Sequence, residues 1–565
     1  SIGIRLSVLL LTITQSAYAD ISGKVFLDYN LNGQLDSTSK IRNFSDNLDI
    51  SVAVDKGITG AQVQAECVSN SGITMFGPVT TDGSGQFTLT TTGASVGANN
   101  CVLQLTSIPS GYSIGTQNGT GNVLTQFVAP DASSANFAVQ EAASYCQNNP
   151  DLATNRYAYG QQTPNPPFAG NNDVANIFAF PYNSGSVATH QTTPAGHKSP
   201  NLDTNDPAIK NLALAQEVGS VFGLGWHPAS NSLFAAAYMK TWTGFGPNGT
   251  GAIYRTNLND PANPTVSLYA DINAIFPNTP PTAGDDPYLT GTFSPANPGY
   301  VQISDGSNGI NPDGAYVASG NTSRDAQNGG LINAVWKIAF GDLDVSADGK
   351  SIFTVNLANR SLYILPVQAN PLTAADANKI EHYAIPFDNA CLADGVGYFD
   401  KQAFGLGEYQ GDIYVGTRCD TGGASPLTEI RRFERSSKTF FPNPSLHYQY
   451  VSGKDVYQRH LFIPSDIVFD PAGNMTIAYR QIEAETGKGS GYGAVRRACI
   501  QDAVNHIWSM ESNASCGGVI TAGAGNNKGP NGGQYFFQEW PSDLGSTYGM
   551  AGFGGATHIP GFQES

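Results

Sequence analysis

The chain has 565 residues, of which 13 % are charged and 40 % hydrophobic, and Asp and Glu (45) outnumber Lys and Arg (28) for a net charge of −17. The apolar fraction suffices for packed cores and excludes a disordered chain, while the acidic balance excludes nucleic acid and anionic lipid as electrostatic partners. Gly is abundant at 64 residues and no long helical period appears, so the composition predicts an all-β chain of short strands and turns rather than a bundle or coiled coil.

Residues 1–19 read as a signal peptide. Arg5 supplies the positive end, Leu6 to Ile13 a short apolar core, and Ala17-Tyr18-Ala19 a small-x-small cleavage site before Asp20. The apolar run is too short to span a bilayer comfortably, and no later stretch would insert in a membrane. These features predict a secreted or cell-surface protein. The chain begins at Ser1 without Met, and Gly555 to Pro560 read as a strand cut short, which predicts a longer natural chain. In an exported protein the seven cysteines are expected to form disulfides. Proximity suggests Cys67–Cys101, Cys391–Cys419 and Cys499–Cys516, with Cys146 left over.

Residues 20–139 read as an independent β unit. Ile21 to Phe26, Val63 to Val68, Gln86 to Leu89, Cys101 to Leu105 and Asn136 to Val139 read as strands. Alternation places Val63, Ala65 and Cys67 on one face of their strand, and Cys101, Leu103 and Leu105 on one face of theirs. The first loop carries the clearest chemical signal. Asp28, Asn30, Asn32, Gln34 and Asp36 alternate through it, with Gly33 at the sharp turn. This is the oxygen spacing of a calcium loop, in which Gln34 offers its carbonyl. Ser39 stands where a bidentate acid would complete the shell, so Asp46, Asp49 or water is expected to do so.

The segments GKVFLDYNLNGQLD, GITGAQVQAECV, TTDGSGQFTL, IPSGY and NFAV resemble the SdrD B-like family, also called the Cna B-type or prealbumin-like fold. The resemblance implies an Ig-like β-sandwich serving as a spacer in bacterial surface proteins, often with calcium in this first loop. Some relatives carry a Lys–Asn isopeptide crosslink, for which Lys24, Asn136 and Glu66 would be the residues. Alternation puts Glu66 on the face opposite Cys67, away from the core, which argues against the crosslink.

Residues 140–171 read as a Pro/Asn/Gln-rich linker. Residues 172–565 carry an internal repeat of strand, tight turn, strand. Its starts are Phe222-Gly223-Leu224-Gly225, Phe340-Gly341-Asp342-Leu343, Phe404-Gly405-Leu406-Gly407 and Ser465-Asp466-Ile467, and a third strand follows at Gly251–Thr256, Ser361–Val367 and Glu429–Glu434. Units of about 40–60 residues repeated without linkers predict a β-propeller of about six or seven blades. The segments EVGSVFGLGWHP, GFGPNGTGAIYR and FGDLDVSADGKSIFTVNLANRSLYILPV resemble the propeller that follows such modules in large bacterial surface proteins, a resemblance that implies no particular reaction.

No nucleophile elbow, HExxH zinc site, P-loop or dinucleotide fingerprint was recognised, and no catalytic residue is assigned. Asp342 and Asp466 occupy the same place in two repeats, at innermost strands, where carboxylates would hold a cation for lactone or phosphoester hydrolysis. Gly223 and Leu406 break the ring of acids, which favours structural aspartates. Asp285, Asp286 and Asp305 form a second acidic loop. Tyr238, Trp242 and Phe245 are candidates for an aromatic face that binds glycan or protein. The expected function is adhesion, recognition or extracellular assembly, with a calcium-stiffened spacer and a propeller that displays loops to an extracellular protein or glycan. The alternatives are a metal-dependent propeller hydrolase and a self-assembling subunit of a filament or surface layer.

Overall fold

The computed structural model describes residues 20–37, 54–69, 71–95, 100–115, 124–141, 150–157, 174–181, 210–238, 245–277, 339–393, 401–422, 426–449, 462–470, 473–481 and 493–510. The signal-peptide residues, Asp46, Asp49, Cys146, Trp242, the Asp285–Asp286–Asp305 loop, Cys516 and Gly555–Pro560 lie outside them. The described residues are nearly all β, with helix limited to short turns such as α1 (Ala215–Val218) and α2 (Ile272–Ile275). No helix among them is long and apolar enough to cross a membrane. They group into two compact units that divide near residue 149.

The first unit holds two sheets. One comprises β1 (Asp20–Leu27), β2 (Lys56–Gly57), β5 (Gln86–Thr90), β7 (Ser113–Ile114) and β9 (Phe137–Gln140); the other comprises β3 (Gln62–Ser69), β4 (Gly72–Thr80), β6 (Cys101–Ser107) and β8 (Thr125–Val128). Strands β1 and β9 run parallel, with Val25 level with Phe137. Period-2 alternation decides what is buried: Val63, Ala65, Cys67, Phe87, Leu89, Leu103 and Leu105 are all buried. Cys67 and Cys101 face each other directly across β3 and β6 and are disulfide-bonded. Asn136 Oδ1 accepts the Lys24 backbone N–H at 2.9 Å. Glu66 stands on the opposite face of β3 from Cys67 and is only half-buried.

The second unit is a series of antiparallel sheets. The first comprises β10 (Asp151–Asn155), β11 (Ala175–Pro181) and β12 (Lys210–Leu214); β10 falls inside the stretch read as a linker. Next come β13 (Val221–His227), β14 (Ser232–Ala237), β15 (Ala252–Asn257) and β16 (Thr265–Asp271), then β17 (Phe340–Val345), β18 (Ser351–Asn356), β19 (Ser361–Pro366) and β20 (Glu381–Ala384). The following sheet comprises β21 (Gln402–Tyr409), β22 (Asp412–Cys419) and β23 (Leu427–Glu434), with a fourth strand in two pieces, β24 (Thr439–Phe440) and β25 (Leu446–Gln449). The last comprises β26 (Phe462–Phe469), β27 (Met475–Gln481), β28 (Gly493–Asp502) and β29 (Ile507–Met510).

Each of the four repeat starts becomes a first strand, and each first strand carries one bulge against its second strand. The second strands β14 and β22 are buried at every residue. Neighbouring structure covers both of their faces, which is why SLFAAA and DIYVGTRC do not alternate. The first strands lie side by side and need glycine to do so. A Cβ at Gly223 would stand 2.0 Å from the Leu343 nitrogen, and one at Gly405 would stand 2.7 Å from the Asp466 nitrogen.

Candidate functional site

In the first unit, the loop after β1 folds around its own oxygens. Gly33 and Leu31 adopt positive φ, which turns the chain back so that the Gly33 and Asn32 N–H groups donate to Asp28 at 2.7 and 3.3 Å. Asn30 Oδ1 accepts from the Asn32 N–H, and Asn32 Oδ1 from the Gln34 N–H. Both side-chain amides then donate to Asp36 Oδ2, at 3.0 and 2.8 Å. The loop therefore brings Asp28, Asn30, Asn32 and Asp36 together, with exposed Gln34 at the rim.

Asp55 joins them, a residue the motif does not contain. Its carboxylate accepts the N–H of Asp36 at 2.8 Å and of Tyr29 at 3.3 Å, and its own N–H donates to the Asp36 carbonyl. Burial pushes its carboxyl up to about 7, and the Asp28 and Asp36 charges push the same way. Asp28 is raised too, mainly by burial, against the pull of its backbone donors. No local spacing announces Asp55; only the return of the chain before β2 places it. Asp28, Asp36 and Asp55 are not among the carboxylates that close to within 4.8 Å as a group of three.

In the second unit, side chains from three sheets, Phe222, Phe404 and Arg480 among them, meet in an aromatic plug. The Phe222 and Phe404 rings, from two different sheets, meet edge-on at 4.9 Å, and Tyr238 lies 5.6 Å from Phe404. The Arg480 guanidinium sits 4.9 Å from the Phe222 ring, 5.3 Å from Tyr157 and 5.7 Å from Tyr238. Tyr238, Phe404 and Arg480 are fully buried. Desolvation strengthens such cation–π pairs, to about 2 kcal/mol or more each.

Asp342 lies beside this point and is committed to the backbone. Its Oδ2 accepts the Leu406 N–H of the neighbouring sheet at 3.0 Å, and its Oδ1 accepts the Leu343 N–H at 2.9 Å. Burial raises its carboxyl well above the ordinary range, and the charges of Asp466 and Asp344 add to this. Burial, followed by the charge of Glu408, raises Asp344 to about 7. The expected equivalence of Asp342 and Asp466 is off by one residue. Gly223 packs on the Asp342–Leu343 peptide, whereas Gly405 packs on Ser465–Asp466, so Ser465 takes the place of Asp342. Both strands carry a bulge, so the slip comes from the hairpin turns: Val345 pairs with Ile352, whereas Phe469 pairs with Met475 across a turn one residue shorter.

Two further readings change. Tyr238 and Phe245 are core residues, buried in the hydrophobic clusters rather than presented to solvent; the exposed aromatics are Trp226, 45 % exposed, and Phe127, 66 % exposed. The string Gly93-Ala94-Ser95-Val96-Gly97 has the spacing of a nucleophile elbow. It follows a strand of the first unit, and the Ser95 N–H donates to the Val68 carbonyl; Val96 and Gly97 lie outside the described residues. The Cys391–Cys419 disulfide is present, as expected from proximity, and Cys499 is also disulfide-bonded.

No protein-family model matches the sequence. Among curated proteins the chain is similar to Colossin-D of Dictyostelium discoideum, 25 % identical over 579 residues, covering 96 % of this chain and 52 % of that protein. It is also similar to Colossin-A of the same organism, 22 % identical over 586 residues, covering 98 % of this chain and 4 % of that protein. The chain thus spans about half the length of Colossin-D and far less of Colossin-A. Among solved structures, a putative 6-phosphogluconolactonase from Bacteroides uniformis aligns with 80 % of this chain and 95 % of its own at 10 % identity and a TM-score of 0.27. An exo-beta-1,3-galactanase from Clostridium thermocellum aligns with 63 % and 59 % at 9 % identity and a TM-score of 0.28. Likenesses at these TM-scores establish neither a shared fold nor an activity.

Proposed function

We propose that the chain is an extracellular display protein. A calcium-stiffened β-sandwich of the SdrD B-like type acts as the spacer, and a β-propeller presents its outer loops to a protein or glycan partner in adhesion, recognition or assembly. The observation that carries this reading is the plug. Phe222, Tyr238, Phe404 and Arg480 pack together across three sheets, and Asp342 spends both oxygens on backbone N–H groups. A centre so filled stiffens a scaffold and leaves recognition to the periphery, where a preorganised face loses little entropy on binding. Disulfides suit an oxidising, extracellular setting. The bacterial setting is not carried over, because the curated relatives come from D. discoideum.

Calcium fits the chemistry of the first loop. Its donors are hard oxygens from Asp28, Asn30, Asn32 and Asp36, with the Gln34 carbonyl beside them, and Asp55 is an added acid within reach. The carboxyls of Asp55 and Asp28 are raised, first by burial; the charge of Asp36 adds to both, and that of Asp28 adds to Asp55. A divalent cation supplies opposite charge and holds the end of β1 against the segment before β2.

A glycan-array and cell-surface binding screen with the full chain tests the display reading. Binding that survives Asp342→Asn supports it. Hydrolysis of a lactone or phosphoester that disappears in Asp342→Asn and Asp466→Asn would replace it with the hydrolase alternative. One observation favours self-assembly as a second reading. The outer face of the β3–β4–β6–β8 sheet exposes Ile73 (77 %), Met75 (57 %), Val68 (49 %) and Phe127 (66 %). Val68 pairs with Ile73, and Phe127 pairs with Val102, whose partner on β3 is Glu66, which in turn faces Met75. Sedimentation that collapses to monomer in Ile73→Lys/Phe127→Lys would support that reading.

A further inference from the structure

We propose a divalent transition-metal site, of the kind that takes zinc, at Asp388, Glu429 and His447 in the second unit. Among the described residues, these three bring a carboxylate oxygen each from Asp388 and Glu429 and a ring nitrogen from His447 within 4.8 Å of one another. They come from three separate segments. Glu429 and His447 are direct cross-strand partners on β23 and β25, so the ladder itself sets the two side chains on one face. Asp388 comes from the loop after β20. That loop is pinned twice at the end of β22: Cys391 is disulfide-bonded to Cys419, and the Leu392 N–H donates to the Asp420 carbonyl at 2.8 Å. Inside the loop, Asp388 Oδ1 accepts the Ala390 N–H at 2.7 Å, and its carbonyl accepts the Cys391 N–H.

The donor set selects the ion. Two carboxylates and an imidazole suit a borderline metal with a mixed nitrogen–oxygen shell, whereas calcium takes oxygens alone. His447 Nδ1 lies 2.9 Å from Glu429 Oε1, close to the separation of two ligands sharing a small cation. Glu429 is 3 % exposed and is held on its other oxygen by Arg431, whose guanidinium also donates to the Pro442 carbonyl. A ligand fixed in this way by a neighbour outside the shell is a usual feature of metal sites. With Arg431 counted, the group carries one net negative charge, which a dication reverses rather than leaves uncompensated. The His447 side chain is 56 % exposed, so an ion has a path in and solvent has room for a fourth ligand. The bound ion would tie the Asp388 loop to β23 and β25.

Cobalt titration of the full chain, stripped of metal with chelator and dialysed, tests the proposal. Tetrahedral cobalt absorbs strongly in the visible and reports its ligands directly. One equivalent is expected to bind with a visible band that zinc abolishes and excess calcium does not. His447→Gln is expected to remove the band, and Asp388→Asn to weaken cobalt binding at least tenfold. His447 is exposed and Asp388 half-buried, and Asn at 388 keeps an acceptor oxygen for the Ala390 N–H; an unchanged far-ultraviolet spectrum and melting profile check that both variants fold. Absence of the band in the parent chain at millimolar cobalt, or retention of the band in both variants, would overturn the site and leave Glu429, His447 and Arg431 as an ion-pair cluster.

Discussion

The first loop and the plug handle buried charge in opposite ways. In the loop, Asp28, Asp36 and Asp55 share backbone donors and two Asn amides, and no cationic side chain contributes to their hydrogen bonds. In the second unit, Arg480 is surrounded by aromatic faces and Asp342 by N–H groups of two strands. Buried charge is tolerated where partners surround it and is costly where like charges gather. Like charges gather at both places, since Asp466 and Asp344 also raise Asp342, but the plug adds a buried cation, Arg480, set among aromatic rings.

The largest expected effect breaks the plug. Phe404→Ala removes a fully buried ring that touches Phe222 and Tyr238, and a cost of about 3–5 kcal/mol is expected. In calorimetry of the full chain, only the transition of the second unit should fall. Equal movement of both transitions would mean that the two regions are not separable.

Next in size is the pH response of the loop. The Asp55 carboxyl moves from an ordinary 3.8 up to about 7 on folding, so the fold prefers its protonated form. That preference stabilises below the unfolded value and is lost as pH rises towards 7. Without calcium, the first unit should lose stability on the order of 2–4 kcal/mol between pH 4 and pH 7, and Asp55→Asn should flatten the slope. A slope unchanged by the substitution would remove Asp55 from the account.

Calcium should oppose this loss. At about one hundred times its Kd, a ligand that binds only the folded state adds about 2.7 kcal/mol. The melt of the first unit should rise at neutral pH, and the rise should shrink in Asp28→Asn. An unmoved melt would make the loop an ordinary turn. The smallest effect belongs to Asp342. Asp342→Leu leaves the Leu406 N–H buried without its acceptor and should cost about 1–3 kcal/mol. Asp342→Asn keeps one acceptor oxygen for the Leu406 N–H and removes repulsion with Asp466, so it should cost less than Asp342→Leu. Equal penalties in urea melts would count against the strand-to-strand bond.

Much of the strand content was legible in the sequence. Leu233, Ile352, Ile413 and Met475 each open or lie near the start of a second strand, and the turns before three of them hold Gly349, Gly411 and Gly473 at positive φ. Alternation around Val63 and Cys101 gave the buried faces of the first unit correctly. The one-residue slip between Asp342 and Asp466 was not legible, because the register in which a turn closes leaves no mark in local composition. Nor was the burial of Tyr238, since Tyr is equally suited to a surface and to a core. Asp388, Glu429 and His447 lie far apart along the chain, and no motif of fixed spacing joins them.

Local chemistry is written in order along the polypeptide. Repeated strand–turn units and the alternating oxygens from Asp28 to Asp36 follow from neighbours a few residues apart, and the sequence alone determined them. Tertiary structure decided which groups from distant segments meet: Asp55 behind the loop, Arg480 among three rings, and a histidine opposite Glu429. Sheet register sets those meetings, and it depends on bulges, glycine packing and disulfides acting together rather than on any short run of residues.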